Sequence, residues 1–77
     1  MNNARREKLK KALTILDEAN NIIDQVYDQE QNCLENFPEN LQSTERYDAM
    51  EAAVDNLTEA IDKIGEAIEF VQIAIEG

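Results

Sequence analysis

The chain has 77 residues, and its 17 acidic and 7 basic side chains, with no histidine, give a formal net charge of −10. This length suits a single domain, residues 1–77, and 43% apolar residues with two glycines and one proline favour long helices. Because it has no membrane-spanning apolar run, no signal peptide and no histidine ligand, we expect a cytoplasmic, non-enzymatic protein without cofactor, metal or membrane contact.

The first half of the chain predicts a helix from about residue 4 to 35. Leu9, Leu16, Ile23 and Glu30 form one row at heptad spacing, and Ala12, Ala19, Val26 and Cys33 form the next. Leu13, Tyr27 and Leu34 lie on one side of these rows, and Ile15 and Ile22 lie on the other. The apolar face is therefore wider than a two-stranded seam requires.

The sequence predicts a turn at about residues 36–43. Pro38 disfavours helical geometry in the preceding residue and has no amide hydrogen, so the first helix should end at or before Phe37. Ser43 or Thr44 can accept a hydrogen bond from a free amide of the following helix. We therefore expect a second helix that begins at about residue 44.

The second half predicts a helix from about residue 44 to 76 with a regular heptad seam. The seam consists of Tyr47, Met50, Val54, Leu57, Ile61, Ile64, Ile68, Val71 and Ile75. A row of alanines precedes it at a seven-residue interval, and a row of acidic residues follows it. This helix should therefore have an apolar seam, a strip of methyl groups and an acidic outer strip.

Two long helices joined by a short turn predict an all-α, antiparallel, coiled-coil-like hairpin. A turn centred near Asn40 makes the numbers of facing residues add to about 80. That register pairs Leu9 with Val71 and Cys33 with Tyr47, and it predicts that Cys33 packs rather than reacts. It also places the N-terminal bases beside Glu66, Glu69 and Glu76.

An isolated hairpin would leave much apolar surface in water, which usually marks an interface. We therefore expect self-association, most simply a homodimeric four-helix bundle. The residues predicted for this contact are Leu13, Tyr27, Ala53, Ala60, Ala67, Ala74, Phe70 and Ile73. A monomer, or a different protein covering this strip, remains an alternative.

Polar residues within the apolar pattern have two interpretations. Glu30 occupies a seam position, where a buried carboxylate could be functional, but we expect a structural role close to water or Arg46. Asn20 and Asn21 either fix the register through a polar contact or lie on a solvated edge.

The uneven charge distribution suggests two binding modes. The regular acids Asp48, Asp55, Asp62 and Glu69 could occupy a basic surface of another protein by imitating phosphates, or they could only keep the helix soluble. A rod of this charge should not bind nucleic acid directly. The basic cluster, defined as Arg5, Arg6, Lys8, Lys10 and Lys11, could bind an anionic nucleotide or could neutralise nearby glutamates.

The segment from Phe37 to Tyr47, with the sequence FPENLQSTERY, is followed by heptads that contain Ala-Ile-Asp. It resembles the turn and second helix of small, acidic, uncharacterised helical proteins of phages and mobile elements in Gram-positive bacteria. The resemblance implies an inhibitor of a host protein or defence system that acts by binding. The alternative function is an oligomeric sponge that sequesters an anionic nucleotide through the basic cluster.

Overall fold

The computed structural model describes residues 1–77, which form two long helices packed against each other as a hairpin. Helix α1 is Asn3–Glu35 and helix α2 is Glu45–Glu76, and a single 3-10 turn, Glu39–Leu41, lies between them. The Cα atoms extend over 59 × 15 × 13 Å, so the hairpin is a thin rod. The helix ends lie within about one residue of the predicted ones.

Side-chain caps define where both helices begin. The Asn2 side chain accepts a hydrogen bond from the Arg5 amide at 2.9 Å, and the Thr44 hydroxyl accepts one from the Tyr47 amide at 3.4 Å. Each cap satisfies an amide that has no partner within its helix. Thr44 also donates to the Leu41 carbonyl at 2.7 Å, which ties the turn to α2. The predicted cap at Ser43 or Thr44 is therefore Thr44.

The seam of α2 is confirmed, because all nine predicted positions are buried or half-buried. The seam of α1 differs from the prediction in one of its two rows. Leu9, Leu16, Ile23 and Glu30 are half-buried as expected, but the second row consists of Arg6, Leu13, Asn20, Tyr27 and Leu34.

The row predicted in its place is less buried towards the turn, where Val26 is 41% exposed and Cys33 is exposed. Leu13, Tyr27 and Leu34 are larger than Ala12, Ala19 and Cys33, so turning them towards α2 removes more apolar surface from water. Ala12 and Ala19 remain half-buried at the margin of the seam.

Two contacts across the hairpin define its register. Arg6 Nε donates to the Ile75 carbonyl oxygen at 3.1 Å, and the rings of Phe37 and Tyr47 meet edge to face with centroids 5.4 Å apart. The residue numbers of these pairs add to 81 and 84, close to the predicted 80. The predicted packing of Cys33 is wrong, because that thiol is exposed and Phe37 supplies the aromatic partner of Tyr47.

The hairpin has almost no fully buried interior. Val54 is the one buried residue, at 6% exposure. The accessible surface is 5814 Å², whereas a globular monomer of this mass exposes roughly 4,800 Å². The excess arises because two helices that lie side by side can bury only one narrow strip of each other.

Neither helix contains an apolar stretch long enough to cross a membrane.

Candidate interaction surfaces

The antiparallel arrangement sorts the side chains beside the seam onto two flanks. We number heptads so that positions a and d lie on the seam, which places Leu13 and Val54 at position a. In an antiparallel pair, the g positions of both helices lie on one side of the seam and the e positions lie on the other. The hairpin therefore has one flank of c and g residues and one flank of b and e residues.

The b and e positions form the acidic flank. Its acidic members are all exposed: Glu7, Asp17, Asp24, Asp28, Glu35, Asp48, Glu51, Asp55, Asp62, Glu69 and Glu76. These are 11 acids, and Lys10 is the single base on this flank. The acidic flank thus has a charge of −10, which equals the net charge of the whole chain. The rest of the chain contains six acids and six bases and is neutral.

The c and g positions form the apolar flank. Its apolar members are Ala12, Ile15, Ala19, Ile22, Val26, Cys33, Ala49, Ala53, Ala60, Ala67, Phe70 and Ala74. The exposed fractions of its large side chains are high: 56% for Ile15, 62% for Ile22 and 70% for Phe70. These side chains lie in a band along one side of the rod, and such a band is typical of an interaction surface.

The predicted self-association residues fall into two groups in the structure. Leu13 and Tyr27 lie on the seam and are half-buried within the hairpin. The others lie outside the seam: Ala53, Ala60 and Ala67 are half-buried at its margin, whereas Ala74, Phe70 and Ile73 are exposed.

On α1, the strongest candidates for self-association are therefore Ile15, Ile22 and Val26, which were not among the predicted contact residues. The sequence contains a signal for them, because Ala12, Ile15, Ala19, Ile22 and Val26 alternate in spacings of three and four. Because this second stripe borders the first one, periodicity alone indicates a single, wider apolar face.

The basic cluster does not form the predicted ion pairs with Glu66, Glu69 and Glu76. Both salt bridges of the chain are local, between Lys10 and Glu7 at 3.1 Å and between Lys63 and Glu66 at 3.9 Å. Arg6 instead donates to a carbonyl in the last turn of α2, where a cation is favourable because of the helix dipole. Arg5, Lys8 and Lys11 are exposed and form no salt bridge.

The polar residues Glu30, Asn20 and Asn21 have different surroundings. Glu30 is half-buried, and Asn21 is exposed on the acidic flank. The side-chain oxygen of Asn20 is buried and accepts no hydrogen bond. Asn20 thus lies within the seam, but its oxygen has no partner there.

No cavity is present in the hairpin, and no group of three or more histidine, cysteine or acidic side chains is arranged to hold a metal ion. No family model matches the chain, and no curated protein or solved structure is significantly similar to it.

The unpaired oxygen of Asn20 predicts that Asn20→Leu stabilises the hairpin. A buried acceptor without a donor costs about 1 to 3 kcal/mol, and leucine would replace it with apolar contact. Urea unfolding at a fixed protein concentration should therefore show a gain in free energy of unfolding of about that size. Asn21→Leu is the matched control, because Asn21 is exposed. Equal effects of the two substitutions would contradict the assignment.

Proposed function

We propose that this protein is a non-enzymatic helical binding protein that self-associates through its apolar flank and contacts another protein through its acidic flank. The observation that supports this function is the separation of the two flanks: one has 11 acids and a single base, and the other has exposed isoleucine and phenylalanine side chains and no acid. A solubilising surface alone would not require the charges to lie on one side.

Self-association is supported by the surface that the hairpin leaves exposed. The excess over a globular monomer of the same mass is on the order of 1,000 Å², close to the share that one partner buries in a standard interface. With Val54 as its one buried residue, the hairpin has little apolar burial to offset the entropy of ordering. A second copy would supply the missing burial.

Binding to another protein is supported by the regularity of the acidic flank. Asp48, Asp55, Asp62, Glu69 and Glu76 are exposed at seven-residue intervals on α2, which is a carboxylate about every 10 Å along the rod. Such a row complements a basic protein surface, for example one that binds nucleic-acid phosphates. Together with the resemblance to phage proteins, this row leads us to propose an inhibitor of a bacterial host protein or defence system.

The first test concerns the apolar flank. Ile22→Glu with Phe70→Glu should reduce the mass in light scattering to that of one chain, because association would force these charges into an apolar contact. Both side chains are exposed in the hairpin, so circular dichroism should still show helices. Asn21→Glu with Gln72→Glu adds the same charge on the acidic flank and should not change the mass. An unchanged mass in the first variant would contradict self-association through this flank.

The second test concerns the acidic flank. Asp55→Lys, Asp62→Lys and Glu69→Lys together should abolish capture of a partner protein from a bacterial lysate, and the capture by the wild type should weaken with added salt or duplex DNA. The control reverses Glu18, Glu59 and Glu66, which lie outside this flank, and it changes the net charge equally. The control should retain capture. Equal loss in both variants would show that net charge alone matters.

The alternative function is sequestration of an anionic nucleotide, and the unpaired side chains of Arg5, Lys8 and Lys11 favour it. Under this function, calorimetry with ATP should detect binding that is lost in the triple alanine variant at these positions. Arg6 and Lys10 are left intact because they contact Ile75 and Glu7. If the wild type binds no nucleotide, this alternative fails and the proposal of protein binding is unaffected.

A further inference from the structure

We infer that a second copy of the chain covers the apolar flank in the opposite direction, with a two-fold axis that crosses α1 next to Asn20 and α2 next to Ile61. The inference rests on the proposed self-association and adds its face, its direction and its register. Three independent features of the hairpin support it: the size of the flank, its repeat and its charge.

The flank has the size that a dimer needs. A face of 59 by 15 Å measures roughly 900 Å², and a specific interface typically buries about 800 Å² on each partner. A hairpin that covers this face along its whole length would therefore form an interface of standard size. Only a partner that is itself about 60 Å long can cover it fully, and a second copy has that shape.

The repeat on α1 fits its own reverse. When two such stripes run antiparallel, g positions face c positions. In the register that overlaps the two copies of α1 most fully, the numbers of facing residues add to 41. Ile15 then lies opposite the partner's Val26, and Ile22 lies opposite the partner's Ala19. Large side chains thus meet medium or small ones, and the contact is self-complementary as a two-fold interface requires.

The repeat on α2 gives the same axis independently. Its g and c positions face each other when their numbers add to 123, which places Phe70 opposite the partner's Ala53 and Ala74 opposite the partner's Ala49. The axis then crosses α1 between residues 20 and 21 and α2 between residues 61 and 62. These two positions, 20.5 and 61.5, add to 82. The contacts within the hairpin give 81 and 84, so one axis satisfies both helices.

Charge selects the antiparallel direction. Outside the acidic flank, four bases lie within the first eleven residues: Arg5, Arg6, Lys8 and Lys11. Three of the six acids outside that flank lie near the turn, Glu30, Glu39 and Glu45, and Arg46 is the one base beside them, so this end has a charge of −2. Opposite directions place each basic tip beside the partner's acidic turn, whereas equal directions would place like charges together. Because screening limits such effects to about 10 Å, the neighbouring ends decide the preference.

The test uses disulfide formation in a Cys33→Ala background. Ile15→Cys with Val26→Cys should give a covalent dimer under mild oxidation, because the two positions face each other across the proposed interface. Within one chain they are about 16 Å apart along the helix, too far for a disulfide. Each single variant should stay unlinked, because its two copies would be equally far apart. A mixture of the two single variants should link as the mixed pair.

The controls separate the possible failures. Linking by the Ile15→Cys variant alone would place the two copies of position 15 beside each other, which the proposed register forbids, and would overturn the inference. Linking by Asp17→Cys with Asp28→Cys, which has the same spacing on the acidic flank, would show that the wrong flank was chosen. If the wild type has the mass of one chain, the proposed self-association itself fails. If the wild type is a dimer but Ile15→Cys with Val26→Cys does not link, the register is wrong.

Discussion

The rest of the structure depends on the limited contact that two long helices can make with each other. A pair of rods can turn one strip of each helix inward, and here that strip contains a single buried residue, Val54. Every side chain outside it must face solvent or a partner. The hairpin resolves this constraint by giving its two exposed flanks different chemistry, so that one flank favours water and the other favours burial.

The sequence predicted α2 better than α1, and the reason is the number of apolar rows on each helix. On α2, bulky apolar residues occupy one pair of rows, and the neighbouring row contains only alanine, so the inward face has one solution. On α1, the row of Leu9, Leu16 and Ile23 has an apolar row on each side. One of these neighbouring rows contains Leu13 and Tyr27, and the other contains Ala12, Ala19 and Val26. Which pair faces α2 depends on the total area buried with the other helix, and periodicity alone does not contain that information.

Phe37 and the basic cluster show a second limit of prediction from the sequence. Phe37 lies outside both helices, and its contact with Tyr47 depends on the backbone of the turn rather than on a repeat. Arg6 was grouped with its basic neighbours, yet its position on the seam directs it to the Ile75 carbonyl, and Lys10 pairs with Glu7 on its own helix. The sequence shows that these charges lie at one end of the rod, but their partners depend on hydrogen-bond geometry.

Separation of the flanks also makes association compatible with a net charge of −10 on each chain. In the proposed antiparallel dimer, the apolar flanks would meet, with Arg5, Lys8, Arg46 and Lys63 as their charged members, and the two acidic flanks would face away from each other. Each hairpin is about 13 Å thick, so the acidic flanks would lie roughly 25 Å apart, which exceeds the screening length of about 10 Å at 0.1 M salt. Repulsion between them is therefore weak, although the charge doubles. The same geometry would leave both acidic flanks open, so the proposed self-association and the proposed binding to a basic partner would not compete for the same surface.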